Sequence, residues 1–288
     1  MMVEALVYFF VPALVGVLIG IASGLLGIGG GTVMVPIFRL AFGMSATMST
    51  ATSLFAIIPT SISGAISHVK GKTCIPALGI AAGLGGACLS PVGVWLAQLS
   101  PDWLVMLAAA LIIGYSAINM FKKAFKLRPA GQPATGVDAP AAASLTSLGD
   151  AAAAAPTADD SSLSRKQLLQ GAAIGLVAGL ASGYVGVGGG FIMVPLMLSI
   201  IGIPMRKASG TSLIAVMILA IPGVIEQGII GNINYLAGIA IVIGTIPGAV
   251  IGARLVTKVP ERTLRLLFGC FLIVAAVMLV LNEVGIFG

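Results

Sequence analysis

The strongest constraint on the fold is a glycine-rich stretch that the chain contains twice. The first copy is Ser23-Gly24-Leu25-Leu26-Gly27-Ile28-Gly29-Gly30-Gly31-Thr32-Val33-Met34-Val35-Pro36. The second is Ser182-Gly183-Tyr184-Val185-Gly186-Val187-Gly188-Gly189-Gly190-Phe191-Ile192-Met193-Val194-Pro195. Gly31 and Gly190 fall at the same place, an offset of 190 − 31 = 159 residues. Each copy ends one apolar helical stretch and begins a shorter one. Glycine is a poor helix former, so three in a row serve backbone freedom or close approach rather than helix stability.

The surroundings of both copies are apolar. Of 288 residues, 58% are hydrophobic and 8% charged, and the mean hydropathy is +1.13. A globule in water needs a larger polar skin, which makes lipid the solvent for most of this chain. The 39 glycines suit that class. A net charge of +6 can signal nucleic-acid binding. Here the cations sit in short gaps between apolar runs, where they report topology instead. Cys74, Cys88 and Cys270 are scattered, without disulfide or metal spacing. Residues 1–20 lack a basic leader and a small-residue cleavage site, so they read as a first membrane helix rather than a signal peptide.

Ten apolar segments follow from a span length of about 20 residues. They are 5–26, the short 33–42, 47–66, 75–96 and 103–121, then 167–187, the short 191–203, 209–227, 235–256 and 263–281. Between the two sets, 127–164 is Ala-, Pro-, Ser-, Gly- and Asp-rich, has no apolar period and reads as a disordered linker. The division is therefore 1–126, first membrane repeat; 127–164, linker; 165–288, second membrane repeat. Thr52-Ser53-Leu54 matches Thr211-Ser212-Leu213, and Pro101-Asp102 matches Pro260-Glu261, at the same offset.

Placing the linker in the cytoplasm puts every lysine and arginine except Arg39 on that side, with Glu4, Asp102 and Glu283 opposite. In that topology the halves start from opposite faces. The expected fold class is an all-α polytopic membrane protein of two inverted-topology repeats, about five hydrophobic segments each. The helices are broken or re-entrant at the two glycine motifs, since about 10–13 helical residues cannot cross a ~30 Å core. The expected location is a bacterial inner membrane, multi-pass, with both chain termini periplasmic.

Short glycine-interrupted segments at matched places in two inverted halves point to a transporter's binding site. A helix beginning at Gly29-Gly30-Gly31-Thr32, or at Gly188-Gly189-Gly190-Phe191, offers unpaired N–H groups and the positive end of its dipole. Two such ends facing each other hold an anion without a buried cation. Thr52, Ser53, Thr211 and Ser212 add hydroxyls, which either cap their own helices or donate to an oxyanion. Pro36 and Pro195 stop a regular helix running through each motif and mark hinges. Glu226, His68 and Arg254 are candidates for coupling or gating, set against ordinary roles at the ends of spans. Gly16, Gly20 and Gly24, like Gly175, Gly179 and Gly183, and Gly244, Gly248 and Gly252, are spaced by four, the pattern of close helix packing. No residue set suits catalysis, a metal or a cofactor, so no enzyme is expected.

Gly27-Ile28-Gly29-Gly30-Gly31…Val35-Pro36 with Ala51-Thr52-Ser53, and Gly186-Val187-Gly188-Gly189-Gly190…Val194-Pro195 with Gly210-Thr211-Ser212, resemble the TauE/SafE family of sulfite-exporter-like membrane proteins. The resemblance covers nearly everything outside 127–164, and the long linker departs from the compact members. It implies export of sulfite, an organosulfonate or another small sulfur-containing or carboxylate anion. An anion channel, an importer, or a non-transporting membrane subunit docking a partner through the linker are the alternatives. The expected partners are the small anion, the lipid bilayer and at most a second copy of the chain as a homodimer. Nucleic acid is not among them.

Overall fold

The computed structural model describes residues 2–126 and 164–283. The expected linker, apart from Ser164, and the side chains of Glu4 and Glu283 lie outside the described residues, as do both chain ends. The described residues form ten helices: α1 (Met2–Leu26), α2 (Gly31–Phe42), α3 (Ala46–Lys70), α4 (Pro76–Leu99), α5 (Asp102–Lys126), α6 (Arg165–Val185), α7 (Gly190–Leu196), α8 (Met205–Ile230), α9 (Tyr235–Leu255) and α10 (Glu261–Glu283). There is no strand among them. Seven are long and apolar enough to cross a membrane, and the apolar stretches Pro12–Leu26, Gly31–Phe42 and Gly190–Ile201 are shorter. All ten expected segments are present. The short ones begin at the last glycine of each run, two residues before the expected start in the first half and one in the second.

Side chains with small volume decide which helices meet. A Cβ added at Gly20 would lie 2.4 Å from the Thr245 carbonyl oxygen, and one at Gly24 2.2 Å from that of Ala249. One at Gly175 would lie 1.9 Å from the Ala82 oxygen, and one at Gly183 2.1 Å from that of Ser90. The expected glycine ladders thus bring α1 onto α9 and α6 onto α4, backbone against backbone. The first helix of each half packs on the fourth of the other. The contacting residue numbers rise together, so each of these pairs runs in one direction.

The third helices form the centre. α3 lies along α9, with Thr60 Oγ1 2.6 Å from Thr245 Oγ1. α8 lies along α4, with Gly83 against Ile218 and Gly86 against Leu219. α3 and α8 cross antiparallel, Gly64 meeting Leu213 and Leu54 meeting Gly223. So α1, α3 and α9 run one way and α4, α6 and α8 the other. One buried apolar cluster runs through both halves, from Ile19, Phe38 and Ile57 to Phe191, Val216 and Phe268. The outer faces carry exposed Leu18, Leu111, Leu169 and Ile229, as a lipid-facing surface requires.

The hydrogen bonds between helices repeat at the offset of the sequence. The Asp102 carboxylate accepts from the Ala46 N–H at 3.3 Å, and that of Glu261 accepts from the Met205 N–H at 3.3 Å. The matched Pro-Asp and Pro-Glu pairs therefore hold the open N-termini of α3 and α8. The Thr52 hydroxyl accepts from the Asn234 N–H at 3.0 Å, and that of Thr211 from the Ile75 N–H at 2.9 Å.

Candidate functional site

The glycine runs are broken backbone, for a reason visible residue by residue. Gly27, Gly29 and Gly30 have φ of 75°, 83° and 85°, and Gly186, Gly188 and Gly189 have 72°, 91° and 66°. Side-chain-bearing residues rarely take this left-handed conformation. Gly30 and Gly189 are the N-caps of α2 and α7, and neither helix has a side-chain cap. The first N–H groups of each helix have no partner within it, although the Gly190 N–H donates to the Gly188 carbonyl at 2.8 Å. Gly31 and Gly190 have helical backbone but no room. A Cβ at Gly31 would lie 2.4 Å from the Val187 carbonyl oxygen, and one at Gly190 2.5 Å from that of Gly27. The two runs therefore touch each other, back to back, at the centre of the protein. Residues 26–32 and 185–191 are all buried.

Each run also leans on the third helix of the opposite half. Gly27 packs on Ser209 and Ser212 of α8, and Gly186 packs on Thr50 of α3. Gly29 and Gly188 both meet Ile57, and Gly29 also meets Val216. This places Gly29, Gly30, Gly31, Thr32, Gly188, Gly189, Gly190 and Phe191 in one buried assembly. The Thr-Ser pairs border it in unequal ways. Thr52 and Thr211 spend their oxygens on the starts of α9 and α4. Ser212 Oγ donates to the carbonyls of Gly27 (2.7 Å) and Ser209 (2.8 Å). Ser53 Oγ is buried with no partner among the described residues.

The prolines behave differently from expectation. α2 runs unbroken through Pro36 to Phe42. Pro36, the sixth residue of α2, lacks the N–H that would bond the Thr32 carbonyl, yet the helix continues past it. After Pro195 the chain widens into a π turn, Met197–Ile201. The Lys123 ammonium donates to the Pro195 carbonyl at 3.1 Å and also bonds Ser199 Oγ, filling the gap in the ladder.

His68 is fully buried. Its Nε2 lies 2.8 Å from the Gly24 carbonyl oxygen and its Nδ1 2.7 Å from Thr73 Oγ1. It joins the end of α3 to the end of α1. Glu226 is half-buried near the end of α8, with Oε2 buried and unpartnered among the described residues. Arg254 lines a cavity of about 620 Å³ between α3 and α9, together with Ser63, Ser67, Lys70 and Thr257.

Sequence reasoning missed Ser23 and Ser61. Both are fully buried, and both hydroxyls lack a partner among the described residues, as does that of Thr32. Ser61 Oγ lies 3.6 Å from where a Cβ of Gly29 would stand, and Ser23 Cβ 3.6 Å from that of Gly30. Ser23 recurs as Ser182, but Ser61 has Ala220 at its matched place and offers no signal in the sequence.

Relatives of this chain are named probable membrane transporter proteins. The chain is 27% identical over 288 residues to the probable membrane transporter protein YunE of Bacillus subtilis, covering 97% of this chain and 99% of that one. It is 26% identical over 253 residues to YdhB of the same organism, also a probable membrane transporter protein, covering 88% and 92%. A probable membrane transporter protein of Haemophilus influenzae is 28% identical over 289 residues, covering 93% and 97%. No solved structure matches. The family model described as sulfite exporter TauE/SafE matches residues 12–279. With that match spanning both glycine runs and every helix that holds them, the chain belongs to the TauE/SafE family of multi-pass membrane transporters.

Proposed function

We propose that this transporter exports a small oxyanion, sulfite or an organosulfonate, by alternating access of two inverted-topology repeats. One observation carries the reading. Two uncapped helix starts, α2 and α7, sit against each other in the buried centre, and buried hydroxyls without partners lie beside them. Open N–H groups and the positive dipole end favour an anion, and hydroxyls add donors without adding a fixed charge. The opposite directions of α1 and α6 support inversion of the halves. The burial of both runs favours an occluded carrier over an open channel.

The face that carries Lys70, Lys72, Arg206, Lys207, Arg254 and Lys258 is the cytoplasmic one by the positive-inside rule. Both chain termini then lie in the periplasm of a bacterial inner membrane, and 127–164 in the cytoplasm. A cytoplasm-negative potential drives an anion outward, by about 2.3 kcal/mol per unit charge per 100 mV. The test is efflux of labelled sulfite from proteoliposomes. Gly30→Leu and Gly189→Leu should each stop it. Unimpaired efflux in both, with the protein folded, would move the site elsewhere.

A further inference from the structure

The two glycine runs match in backbone but not in the side chains around them. Three unpartnered hydroxyls, fully buried, belong to the first: Ser23 in the last turn of α1, Thr32 in the first turn of α2, and Ser61 of α3 against Gly29. At the matched places of the second run stand Ser182, whose hydroxyl is likewise buried and without a partner among the described residues, and Phe191 and Ala220, which have no hydroxyl, so the runs differ at two of the three places. Phe191 is fully buried and fills what Thr32 leaves polar. The three atoms nearest a Cβ at Gly188 would all be Ile57's, and those nearest one at Gly189 Ala178's and Leu219's, with no hydroxyl among them. Ser53 and Ser212 do not restore the balance. They are matched residues one turn along from Thr50 and Ser209, on which Gly186 and Gly27 pack, at the end of the preceding helix rather than the start of the next.

A buried hydroxyl without a partner is costly, and three beside one uncapped helix start need a common explanation. α2 has twelve residues and a regular first turn, whereas α7 is a seven-residue helix that gives way to a π turn. We infer that the oxyanion is held at one run only, the first. The hydroxyls of Ser23, Thr32 and Ser61 and the free N–H groups of α2 bind it, while the second run is the apolar wall against which the site closes. The inference rests on the anion-transport reading. The donors are all neutral. They favour a small anion with three or more acceptor oxygens, as in an SO3 group, and leave it free to depart because no fixed counter-charge holds it.

The test is calorimetric titration of the detergent-solubilised full chain with sodium sulfite and with sodium methanesulfonate, sodium chloride serving as control. Ser23→Ala, Thr32→Val and Ser61→Ala should each weaken binding about tenfold or more, since a hydrogen bond to a charged group is lost. Their melting temperatures should stay at or above that of the unsubstituted protein, because these hydroxyls have no partner among the described residues. Thr32→Ser, which keeps the hydroxyl, should bind normally, and Ser182→Ala and Ser53→Ala should bind as the unsubstituted protein does. If that protein binds and the three first-run variants bind equally well, or if the second-run variants lose as much, the single-site inference is overturned while anion transport stands. If it binds neither probe and releases no sulfite from proteoliposomes, both fall.

Discussion

His68 and Gln227 occupy matched places, and so do their partners Thr73 and Asn232. Gln227 is 2% exposed, and its Oε1 accepts from Asn232 Nδ2 at 2.8 Å. A residue that cannot titrate therefore stands in one half where histidine stands in the other. The Gly24 carbonyl belongs to the last turn of α1, where carbonyls have no intrahelical partner. Since a carbonyl only accepts, His68 Nε2 donates to it. His68→Ala orphans that carbonyl, at about 1–3 kcal/mol. It also leaves a void of roughly 60 Å³, which adds about 1.5 kcal/mol at ~24 cal/mol per Å³. The sum of about 2.5–4.5 kcal/mol lowers the melting temperature by roughly 5–18 °C, at ~2–4 °C per kcal/mol. His68→Gln keeps one donor and one acceptor and should cost less than about 1.5 kcal/mol. Thermal melts in detergent and sulfite efflux from proteoliposomes read the two variants together. If His68→Gln melts as low as His68→Ala, the clamp is misread. If it melts normally and transports nothing, His68 carries a proton that glutamine cannot.

Three more outcomes follow from the geometry. Gly244→Ala pushes a Cβ to within 1.8 Å of the Ala13 carbonyl oxygen, so it should lose about 2–3 kcal/mol by overpacking, whereas Gly114→Ala, with nothing within 4 Å, should be neutral or slightly stabilising; urea unfolding in detergent compares them. Asp102→Ala and Glu261→Ala each strip the acceptor from the start of a third helix and should cost about 1–2 kcal/mol apiece by the same measurement, and a large inequality would break the structural equivalence of the halves. Lys70→Gln with Arg254→Gln removes both cations from the 620 Å³ cavity and should raise KM for efflux several-fold at low ionic strength with little change in kcat, the effect fading as salt screens the pair.

The ten segments, their breaks and the repeat were legible because lipid makes apolar length the dominant signal, and because identical residues recur at one offset. The packing glycines were legible for a similar reason: a spacing of four places them on one face of a helix. Which helices those faces join was not. That α1 meets α9 rather than its neighbour in sequence depends on shapes that only the folded chain brings together. Asp102 and Glu261 stood out as a match, yet their role as acceptors for a helix 56 residues away has no local signature. Pro36 was over-read: α2 loses one ladder bond there and still runs on to Phe42. Ser61 was invisible because one serine in an apolar span looks like any other until its hydroxyl is seen to have no partner.

The offset of 159 residues sorts the polar groups by what they do. Asp102 with Glu261, Thr52 with Thr211, and His68 with Gln227 have the same job in both halves, and each job is to hold a helix end or a turn. A duplicated scaffold needs those contacts twice. Other matched places differ in chemistry: Thr32 and Phe191, Ser61 and Ala220, Ser67 and Glu226, Lys70 and Ile229, Arg254 and Trp95. None of the matched hydrogen bonds that hold the helix starts runs through these side chains, so the scaffold bonds do not require the differences. Where the halves run in opposite directions, each mismatch sets different chemistry toward the two sides of the membrane. On the proposed anion-export reading, Lys70 and Arg254 would attract the anion at one mouth and Glu226 would repel it at the matched one. An anion drawn in on the basic side and weakly held at the first glycine run has no reason to linger on the acidic side. Removing the mismatched charges, with Lys70→Ile and Arg254→Trp at one mouth and Glu226→Ser at the other, should therefore reduce the preference for outward over inward flux in oriented proteoliposomes while leaving the melting temperature near its original value. An unchanged flux ratio would mean that the mismatches are drift and that direction is set by the membrane potential alone.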